Sequence, residues 1–248
     1  MAAYDFTAPR LFMDAPMMAG ARLTLTREQA NYLLNVLRLG EKDLFHVFNG
    51  RDGEWRARLS GGTRKAPEIL LEDLARPQTT SGDIWYLFAP LKAARLDYMV
   101  QKAVEMGASR LVPVMTHRTV ASRVNRDRMR ANVIEAAEQC GILSVADVAE
   151  EAPLSRALAG LPAGRTLIFC DEDAPLADPL AALGAIARGA PLAVLIGPEG
   201  GFDPEERARL LERPNHVRLS LGPRILRADT AAVAAMTLVQ AALGDIGG

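Results

Sequence analysis

The chain has 248 residues, of which 49% are hydrophobic and 24% charged. This composition excludes a disordered polar chain and a fibrous repeat, while the length permits one large domain or a full domain with a smaller one. The formal net charge of −1 argues against a protein that simply coats nucleic acid.

The charge is unevenly distributed along the chain. Residues 76–130 carry 10 basic and 4 acidic side chains, whereas residues 131–248 carry 9 and 16. Arginine, which suits phosphate contacts, makes up most of the basic excess; the arginines are Arg110, Arg118, Arg123, Arg126, Arg128 and Arg130. A solvated helix face with distant acidic partners explains the same pattern, so charge alone leaves both interpretations open.

Cysteine and histidine usage gives no sign of a metal or disulfide framework. Cys140 and Cys170 form no CxxC pair, and the three histidines are widely separated in the sequence, so we expect no bound metal. No basic segment followed by an apolar one opens the chain, and no run approaches the length of a membrane-spanning helix. We therefore expect a cytoplasmic protein without a membrane segment.

Residues 1–75 have the pattern of a small β-rich domain. Segments of alternating polarity are separated by Asn-Gly and Gly-Gly turns; they are Arg22–Leu25, Leu44–Phe48, Trp55–Leu59 and Ile69–Leu74. One helix interrupts them, since Thr26 and Gln29 have the spacing of a capping box. The apolar stripe predicted for this helix consists of Tyr32, Leu33, Val36 and Leu37.

A linker is predicted at residues 76–83, where Pro, Ser, Thr and Gly are concentrated. From residue 84 to residue 248, short apolar runs alternate with helical periods, as in an α/β domain with a parallel sheet covered on both faces. The predicted strands are Ile84–Phe88, Leu111–Met115, Thr166–Cys170, Leu192–Ile196 and Val217–Leu219, and the predicted helices are 94–106, 126–139, 178–188, 204–213 and 229–243.

Two unusual loops follow predicted strands, at the sheet edge where ligands bind in such folds. The first, at 197–203, contains three glycines and ends at Asp203, a predicted helix N-cap. The second, at 219–230, has Arg224 and Arg227 on either side of two aliphatic residues, which predicts an apolar slot with cationic groups.

These loops closely resemble the C-terminal signature of the RsmE family, ribosomal small-subunit RNA methyltransferases of the SPOUT superfamily. The signature segments are LIGPEGGF at 195–202 and LSLGPRILRADTA at 219–231. The resemblance extends upstream to QKAVEMGA at 101–108, RTV at 118–120 and EAAEQCG at 135–141. In the first domain, NYLLNVLRLG at 31–40 and FNG at 48–50 are similar to that family's PUA-like RNA-binding segment.

The resemblance implies a fold that periodicity does not supply. Residues 84–248 would form a SPOUT-type α/β domain with a parallel sheet and a C-terminal deep trefoil knot, and residues 1–75 a small PUA-like β-barrel. Periodicity alone predicts an unknotted sheet, because true knots are nearly absent from proteins. S-adenosyl-L-methionine would bind in the knotted loops of a homodimer, and the implied activity is methylation of N3 of a specific uridine in 16S rRNA of the small ribosomal subunit.

The resemblance also assigns candidate site residues. The expected cofactor-binding residues are Ile196, Gly197, Gly200, Gly201, Leu219, Leu221, Gly222 and Leu226. Arg227 is expected to stabilise charge on the uracil ring, while Glu199 or Asp229 would accept the N3 proton or fix loop geometry. The expected RNA contacts are Arg10, Arg22, Arg38, Arg118 and Arg224. Because N3 takes part in base pairing, the target uridine must be unpaired or flipped out.

Three features depart from the usual family pattern. Many relatives have a basic residue where this chain has Ile142, which puts one RNA contact in doubt. Many have glutamate where this chain has Asp229, so the carboxylate lies about one methylene further from its partner. The predicted helix at 126–139 is also shorter than usual.

Two other classes of protein stay open from the residues themselves. A non-catalytic RNA-binding assembly factor would keep the β-rich domain and the basic segment, but it has no need for both glycine loops. A nucleotide-cofactor oxidoreductase would explain the α/β pattern, yet the chain has no GxGxxG; it also lacks GxxxxGK[ST] and GxSxG, which counts against a P-loop NTPase and an α/β hydrolase.

Overall fold

The structure, a computed structural model, describes residues 7–63, 66–121, 123–174 and 178–246. The chain divides into two compact units. The first comprises the residues up to Thr80 together with Ala137–Val145, and the second comprises Ser81–Ala136 and the residues from Ala146 onward. Residues 137–145 thus group with the first unit, although their place in the sequence predicts the second.

The first unit is built around one five-stranded sheet. Its strands are β1 (Arg10–Phe12), β2 (Arg22–Thr24), β3 (Phe45–Phe48), β4 (Glu54–Thr63) and β5 (Ala66–Arg76), in the order β1-β3-β4-β5-β2. β1 pairs with β3 in parallel and the other neighbours pair antiparallel. Closure into a barrel stays a prediction, because the pairings within the described residues run from β1 to β2 without joining them.

The predicted helix of the first unit is present but changes type after one turn. Helix α1 (Arg27–Asn31) begins with the predicted capping box of Thr26 and Gln29, and a π-helix follows at Tyr32–Val36. The wider π turn rotates the apolar stripe, so Leu33 is buried while Val36 is 62% exposed. Val36, predicted as part of the apolar stripe, therefore lies outside the core.

The second unit is an α/β fold with a parallel sheet, as predicted. Its strands are β6 (Ile84–Phe88), β7 (Arg110–Met115), β8 (Asp147–Val148), β9 (Ala152–Pro153), β10 (Thr166–Cys170), β11 (Leu192–Ile196) and β12 (His216–Leu219). They lie in the order β12-β10-β11-β6-β7-β8, with β9 also paired to β7. All five residues of β11 are buried, so this strand offers polar chemistry only at its ends.

Among the described residues, six further α-helices follow α1. They are α2 (Ala93–Glu105), α3 (Arg126–Cys140), α4 (Leu154–Ala159), α5 (Pro179–Leu183), α6 (Pro204–Leu211) and α7 (Ala228–Leu243). α5 is shorter than predicted, because its chain turns at Gly184, whose N–H bonds to Leu180 and Ala181. Within the described ranges, no helix combines the length and apolar character needed to cross a bilayer.

A buried carboxylate stabilises the first unit. Glu54 is fully buried and accepts hydrogen bonds from Arg10 Nε at 3.2 Å and Arg76 Nε at 2.7 Å. Arg76 also donates to the carbonyl of Gly141 at 2.9 Å, which ties residues 137–145 to the sheet. Because removal of one member leaves a buried charge poorly compensated, this network is a strong stability determinant.

We predict that Glu54→Ala lowers the free energy of unfolding by about 3–5 kcal/mol, since two largely buried guanidinium groups lose their carboxylate. Glu72→Ala is the matched control, because Glu72 forms an exposed ion pair with Arg58. The control should cost less than about 1 kcal/mol in the same urea titration. Equal costs for the two variants would contradict the role of Glu54.

Candidate active site

The candidate site lies at one edge of the second sheet, where three adjacent parallel strands end. Since β12, β10 and β11 are neighbours, the loops that follow them converge. The loops surround a cavity of about 400 Å³. Its lining includes parts of residues 171–174, 197–203 and 220–227, together with Ala228 and Ala231 of α7. This volume is typical of a small-molecule site.

Seven of the eight predicted cofactor-binding residues line this cavity. They are Ile196, Gly197, Gly201, Leu219, Leu221, Gly222 and Leu226. Gly200 is not among the lining residues, and its carbonyl instead accepts a hydrogen bond from Arg118 Nη1 at 2.6 Å. The lining combines aliphatic side chains with exposed backbone groups, which suits a ligand with apolar faces and polar edges.

Two loop glycines are required by the backbone geometry. Gly222 has a φ of +91°, in the left-handed region that residues with a side chain rarely adopt. At Gly197, a Cβ would lie 2.9 Å from the ring of Phe202, so a side chain there would force the ring to move. The glycines therefore set the shape of the loops as well as leaving room in the cavity.

An ion-pair network that sequence reasoning missed borders the cavity at the end of β10. Asp171 is 7% exposed and accepts hydrogen bonds from Arg207 Nη2 at 3.0 Å and Arg218 Nε at 2.8 Å. Burial acts to raise the pKa of Asp171, but these hydrogen bonds outweigh it and hold the pKa below its ordinary value. The acidic run that follows the predicted strand at the same sheet edge was an available signal.

Cys170, which also lines the cavity, is a free thiol. Burial, together with the charge of Asp171, raises the pKa of Cys170 to about 12. The thiol is therefore protonated at neutral pH, which argues against thiolate chemistry at this site.

The two predicted catalytic carboxylates share one cation. Arg95, in the first turn of α2, contacts Asp229 through Nε and Nη2, each at 3.0 Å, and Glu199 through Nη1 at 2.5 Å. The hydrogen bonds from Arg95 lower the pKa of Asp229. A carboxylate that is held ionised by a guanidinium is a weak proton acceptor, so the geometry favours a structural role over general-base catalysis.

The two predicted cationic residues of the second loop are exposed. Arg224 lines the cavity, and Arg227 immediately precedes α7. Within the described part of the chain, neither guanidinium forms a hydrogen bond or an ion pair, in contrast to Arg95. Both are therefore available to an anionic ligand.

The loop after β7 is attached to the loop after β11. His117 N–H donates to Glu206 Oε1 at 2.9 Å, and His117 Nδ1 bonds to Asp203 Oδ2. Asp203 is the N-cap of α6, as predicted, and forms a capping box with Glu206. Arg118 reinforces the attachment by its bond to Gly200, so this predicted RNA contact is engaged within the protein.

His117, Asp203 and Glu206 bring possible metal-ligand atoms within 4.8 Å of one another, a grouping that their sequence spacing did not predict. Every carboxylate oxygen of the group already has a hydrogen-bonding partner. Glu206 Oε2 accepts from the Asp203 N–H at 3.2 Å, and Asp203 Oδ1 accepts from the Glu206 N–H at 2.8 Å. The arrangement is therefore explained by helix capping.

The predicted RNA contacts of the first unit differ in their exposure. The Arg10 side chain is 7% exposed and paired with Glu54, which gives Arg10 a structural role and leaves little of its side chain for the predicted RNA contact. Arg22 is exposed, although its Nη1 donates to the Ser60 carbonyl at 2.6 Å. Arg38 is exposed and has a φ of +58°, unusual for a residue with a side chain.

Part of the basic charge in residues 76–130 is paired with acidic side chains. Three arginines of the group form ion pairs, namely Arg110 with Asp147, Arg126 with Glu150 and Arg128 with Asp97. These ion pairs favour the second interpretation of the basic stretch over phosphate binding. That interpretation is a solvated helix face whose acidic partners are distant in sequence.

Two family models match the chain. The model described as an RNA methyltransferase domain matches residues 78–240, and the model described as an RNA methyltransferase PUA domain matches residues 25–72. Since the first match covers more than half of the chain, the protein belongs to the RNA methyltransferase family.

Curated relatives narrow this class. Ribosomal RNA small subunit methyltransferase E of Synechocystis is 30% identical over 95% of this chain and 78% of the relative. The protein of the same name from Rickettsia conorii is 27% identical over 93% of this chain and 94% of the relative. The chain is thus a member of the ribosomal RNA small subunit methyltransferase E family.

Solved structures agree with this family assignment. Ribosomal RNA small subunit methyltransferase E from Neisseria gonorrhoeae, bound to S-adenosyl methionine, superposes with a TM-score of 0.82 at 25% identity, over 94% of this chain and 97% of that one. A methyltransferase structure from Legionella pneumophila, also with bound SAM, gives 0.80 at 25% identity over 96% and 99%.

We predict a pH-dependent contribution of His117 to stability. Its hydrogen bond with Asp203 raises the pKa of His117 above 6.5. Charged His117 therefore stabilises the fold below that value, and the contribution is lost as the pH rises through the raised pKa. The difference in unfolding free energy between the wild type and His117→Gln should be larger at about pH 5.5 than at about pH 9.

Asp203→Asn removes the negative charge beside His117 but keeps the cap of α6, because asparagine is also a good N-cap. In this variant the His117 titration, followed by the imidazole NMR signals, should return toward 6.5. A wild-type midpoint at or below that value would contradict the predicted coupling.

Proposed function

We propose that this protein methylates N3 of a specific uridine in the 16S rRNA of the small ribosomal subunit, with S-adenosyl-L-methionine as methyl donor. The observation that carries the proposal is the cavity formed by the loops after β10, β11 and β12. The family membership and the relatives solved with this cofactor support it. A ribosomal substrate makes the cytoplasm the place of action.

The residues of the cavity fit this cofactor. Leu219, Leu221 and Leu226 supply apolar walls for an adenine ring, while the glycine loops expose backbone donors and acceptors for polar edges. When bound, S-adenosyl-L-methionine supplies a sulfonium methyl group, which is already electrophilic, so we propose that no metal is required. The chain's own task is to align the uracil N3 with that group and to exclude water.

Arg227 and Arg224 are the residues that we propose to act on the RNA near the cavity. Loss of the N3 proton leaves negative charge on the uracil ring, and a guanidinium placed there stabilises this anion until N3 takes up the methyl group and the ring becomes neutral again. Arg224 lines the cavity, and neither side chain has an intramolecular partner within the described residues. We assign charge stabilisation to Arg227 and orientation of the base or a phosphate to Arg224.

Of the two roles that the resemblance leaves open for Glu199 and Asp229, this proposal adopts the structural one. Both are bound by Arg95, so we assign them to loop geometry rather than to removal of the N3 proton. The proton then leaves to solvent from a uracil whose ring charge is stabilised by Arg227.

RNA recognition is proposed to involve both units. Residues 1–75 would form the PUA-like RNA-binding domain, joined through 76–83 to the methyltransferase domain at 84–248. Arg22 and Arg38 are the exposed predicted contacts of the first unit. Arg118 would reach RNA only through the part of its side chain that is not bonded to Gly200.

We further propose that the second unit contains the trefoil knot of SPOUT proteins. The strand order supports this: β12 lies at the sheet edge, yet α7, which follows it, packs against α2 and β11. Between them, residues 220–227 and the loop at 197–203 line the same cavity. A chain that returns past a neighbouring loop in this way is compatible with threading.

A homodimer is proposed from an apolar hollow on the second unit. Ala234 and Leu238 of α7, with Pro179 and Leu221, contribute to its lining. We expect the wild type to have twice the chain mass of 26.8 kDa by light scattering. Leu238→Glu should yield the single-chain mass, whereas Leu74→Glu, at an exposed leucine of the first unit, should not. A wild-type monomer would contradict this proposal.

Methyl transfer tests the proposed activity directly. Labelled S-adenosyl-L-methionine is incubated with the protein and small subunits that lack the modification, and the product is mapped after nuclease digestion. We expect label on N3 of one uridine of 16S rRNA. Absence of label would contradict the activity, and label on another base or atom would contradict the substrate assignment.

Arg227→Ala should reduce kcat by about 10- to 100-fold in this assay with little change in stability, because one donor to the charged ring is lost. Arg209→Ala is the matched control, since Arg209 is an exposed arginine of α6 outside the cavity lining. Full activity of the Arg227 variant would remove this residue from the mechanism.

A further inference from the structure

Arg95 connects three segments that are far apart in the sequence. It lies in the first turn of α2, while its partners Glu199 and Asp229 lie in the loop after β11 and in the first turn of α7. Two guanidinium nitrogens bond to Asp229 at 3.0 Å and the third bonds to Glu199 at 2.5 Å. All three nitrogens of the guanidinium are therefore used.

The geometry differs from that of an isolated surface ion pair, which contributes little. Arg95 is 34% exposed and Asp229 is 17% exposed, and their contact has the bidentate form in which a planar guanidinium fixes both distance and direction. Replacement by lysine would keep the charge but lose this fork.

The two partners of Arg95 lie in or directly beside the two loops that line the cavity. Residues 197–203 and 220–227 both contribute to the lining. Within the described ranges, we find no hydrogen bond that directly joins 197–203 to residues 220–230. Arg95 is the side chain that hydrogen-bonds to both, through Glu199 on one side and Asp229 on the other.

We propose that Arg95 is a positioning residue that spaces the two cofactor loops and so keeps the cavity in its binding-competent form. The inference rests on the proposed function, because it takes S-adenosyl-L-methionine as the ligand of this cavity. Arg95 itself does not line the cavity, so its effect on binding is transmitted by Glu199 and Asp229.

The expected size of the effect follows from the population of competent loops. If loss of Arg95 leaves the two loops correctly spaced for about a tenth of the time, the apparent Kd for the cofactor rises about tenfold. Arg95→Gln should show this rise in calorimetric titration of the full-length protein with S-adenosyl-L-methionine. Arg95→Lys should show a smaller rise, of about threefold, because it keeps the charge without the fork.

Arg128→Gln is the matched control. Arg128 makes the same kind of bidentate contact, to Asp97 on α2, but neither residue lines the cavity. Its Kd should equal that of the wild type within about twofold. The control thus measures what removal of an ion pair from α2 does by itself.

Hydrogen exchange of the ligand-free proteins gives a second readout that general destabilisation does not mimic. In Arg95→Gln, the backbone amides of 197–203 and 220–230 should exchange faster, while those of β11 keep their wild-type protection. If this variant fails to fold, Arg95→Lys carries the same comparison with a smaller expected change.

A double-mutant cycle tests the proposed transmission. When Glu199→Ala and Asp229→Ala are already present, Arg95→Gln should change the Kd no further, since its partners are gone. An undiminished effect in that background would overturn the proposal, as would a Kd for Arg95→Gln within about twofold of the wild type. If the wild type itself does not bind S-adenosyl-L-methionine, the proposed function fails instead.

Discussion

The common direction of β10, β11 and β12 is the constraint on which the candidate site depends. Adjacent parallel strands bring their carboxyl ends to one edge, so loops separated by tens of residues in the sequence meet there. Since β11 is buried along its whole length, only the loops beyond it can hold polar groups. The sheet thus provides a rigid apolar support, and the loops provide the chemistry.

Near this edge, three carboxylates are paired with arginines, and two further arginines have no such pair within the described residues. Asp171 is paired with Arg207 and Arg218. The two carboxylates of the signature loops are paired with Arg95, while Arg224 and Arg227 have no such partner within the described residues. The negative charge of these three carboxylates is therefore locally compensated, which weakens their repulsion of an anionic ligand.

The strands of the second unit could be predicted almost to the residue because they are continuous apolar runs between polar turns. β6, β10 and β11 have the predicted bounds. β8 and β9, of two residues each, and the six-residue α4 are too short to leave a periodic signal, so they were missed.

In the site as well, residues contiguous in the sequence could be predicted, whereas contacts between residues distant in the sequence could not. The signature segments predicted most of the cavity lining, because those residues are contiguous in the sequence. The role of Arg95 was not predictable, since its partners lie 104 and 134 residues away and only the fold brings them together. The burial of Arg10 likewise depends on Glu54, which is distant in sequence and carries no motif.

The grouping of residues 137–145 with the first unit affects how this protein can be divided. The chain passes between the two units three times, and the first unit is complete only once the second passage has added residues 137–145. Phe12 N–H bonds to Glu138 Oε1 at 2.8 Å, and Phe48 packs against Ala137 and Leu143. A fragment cut at residues 76–83 would lose these contacts, so the first unit cannot be moved to another protein as one continuous segment, and recombination at a single junction would not transfer it intact.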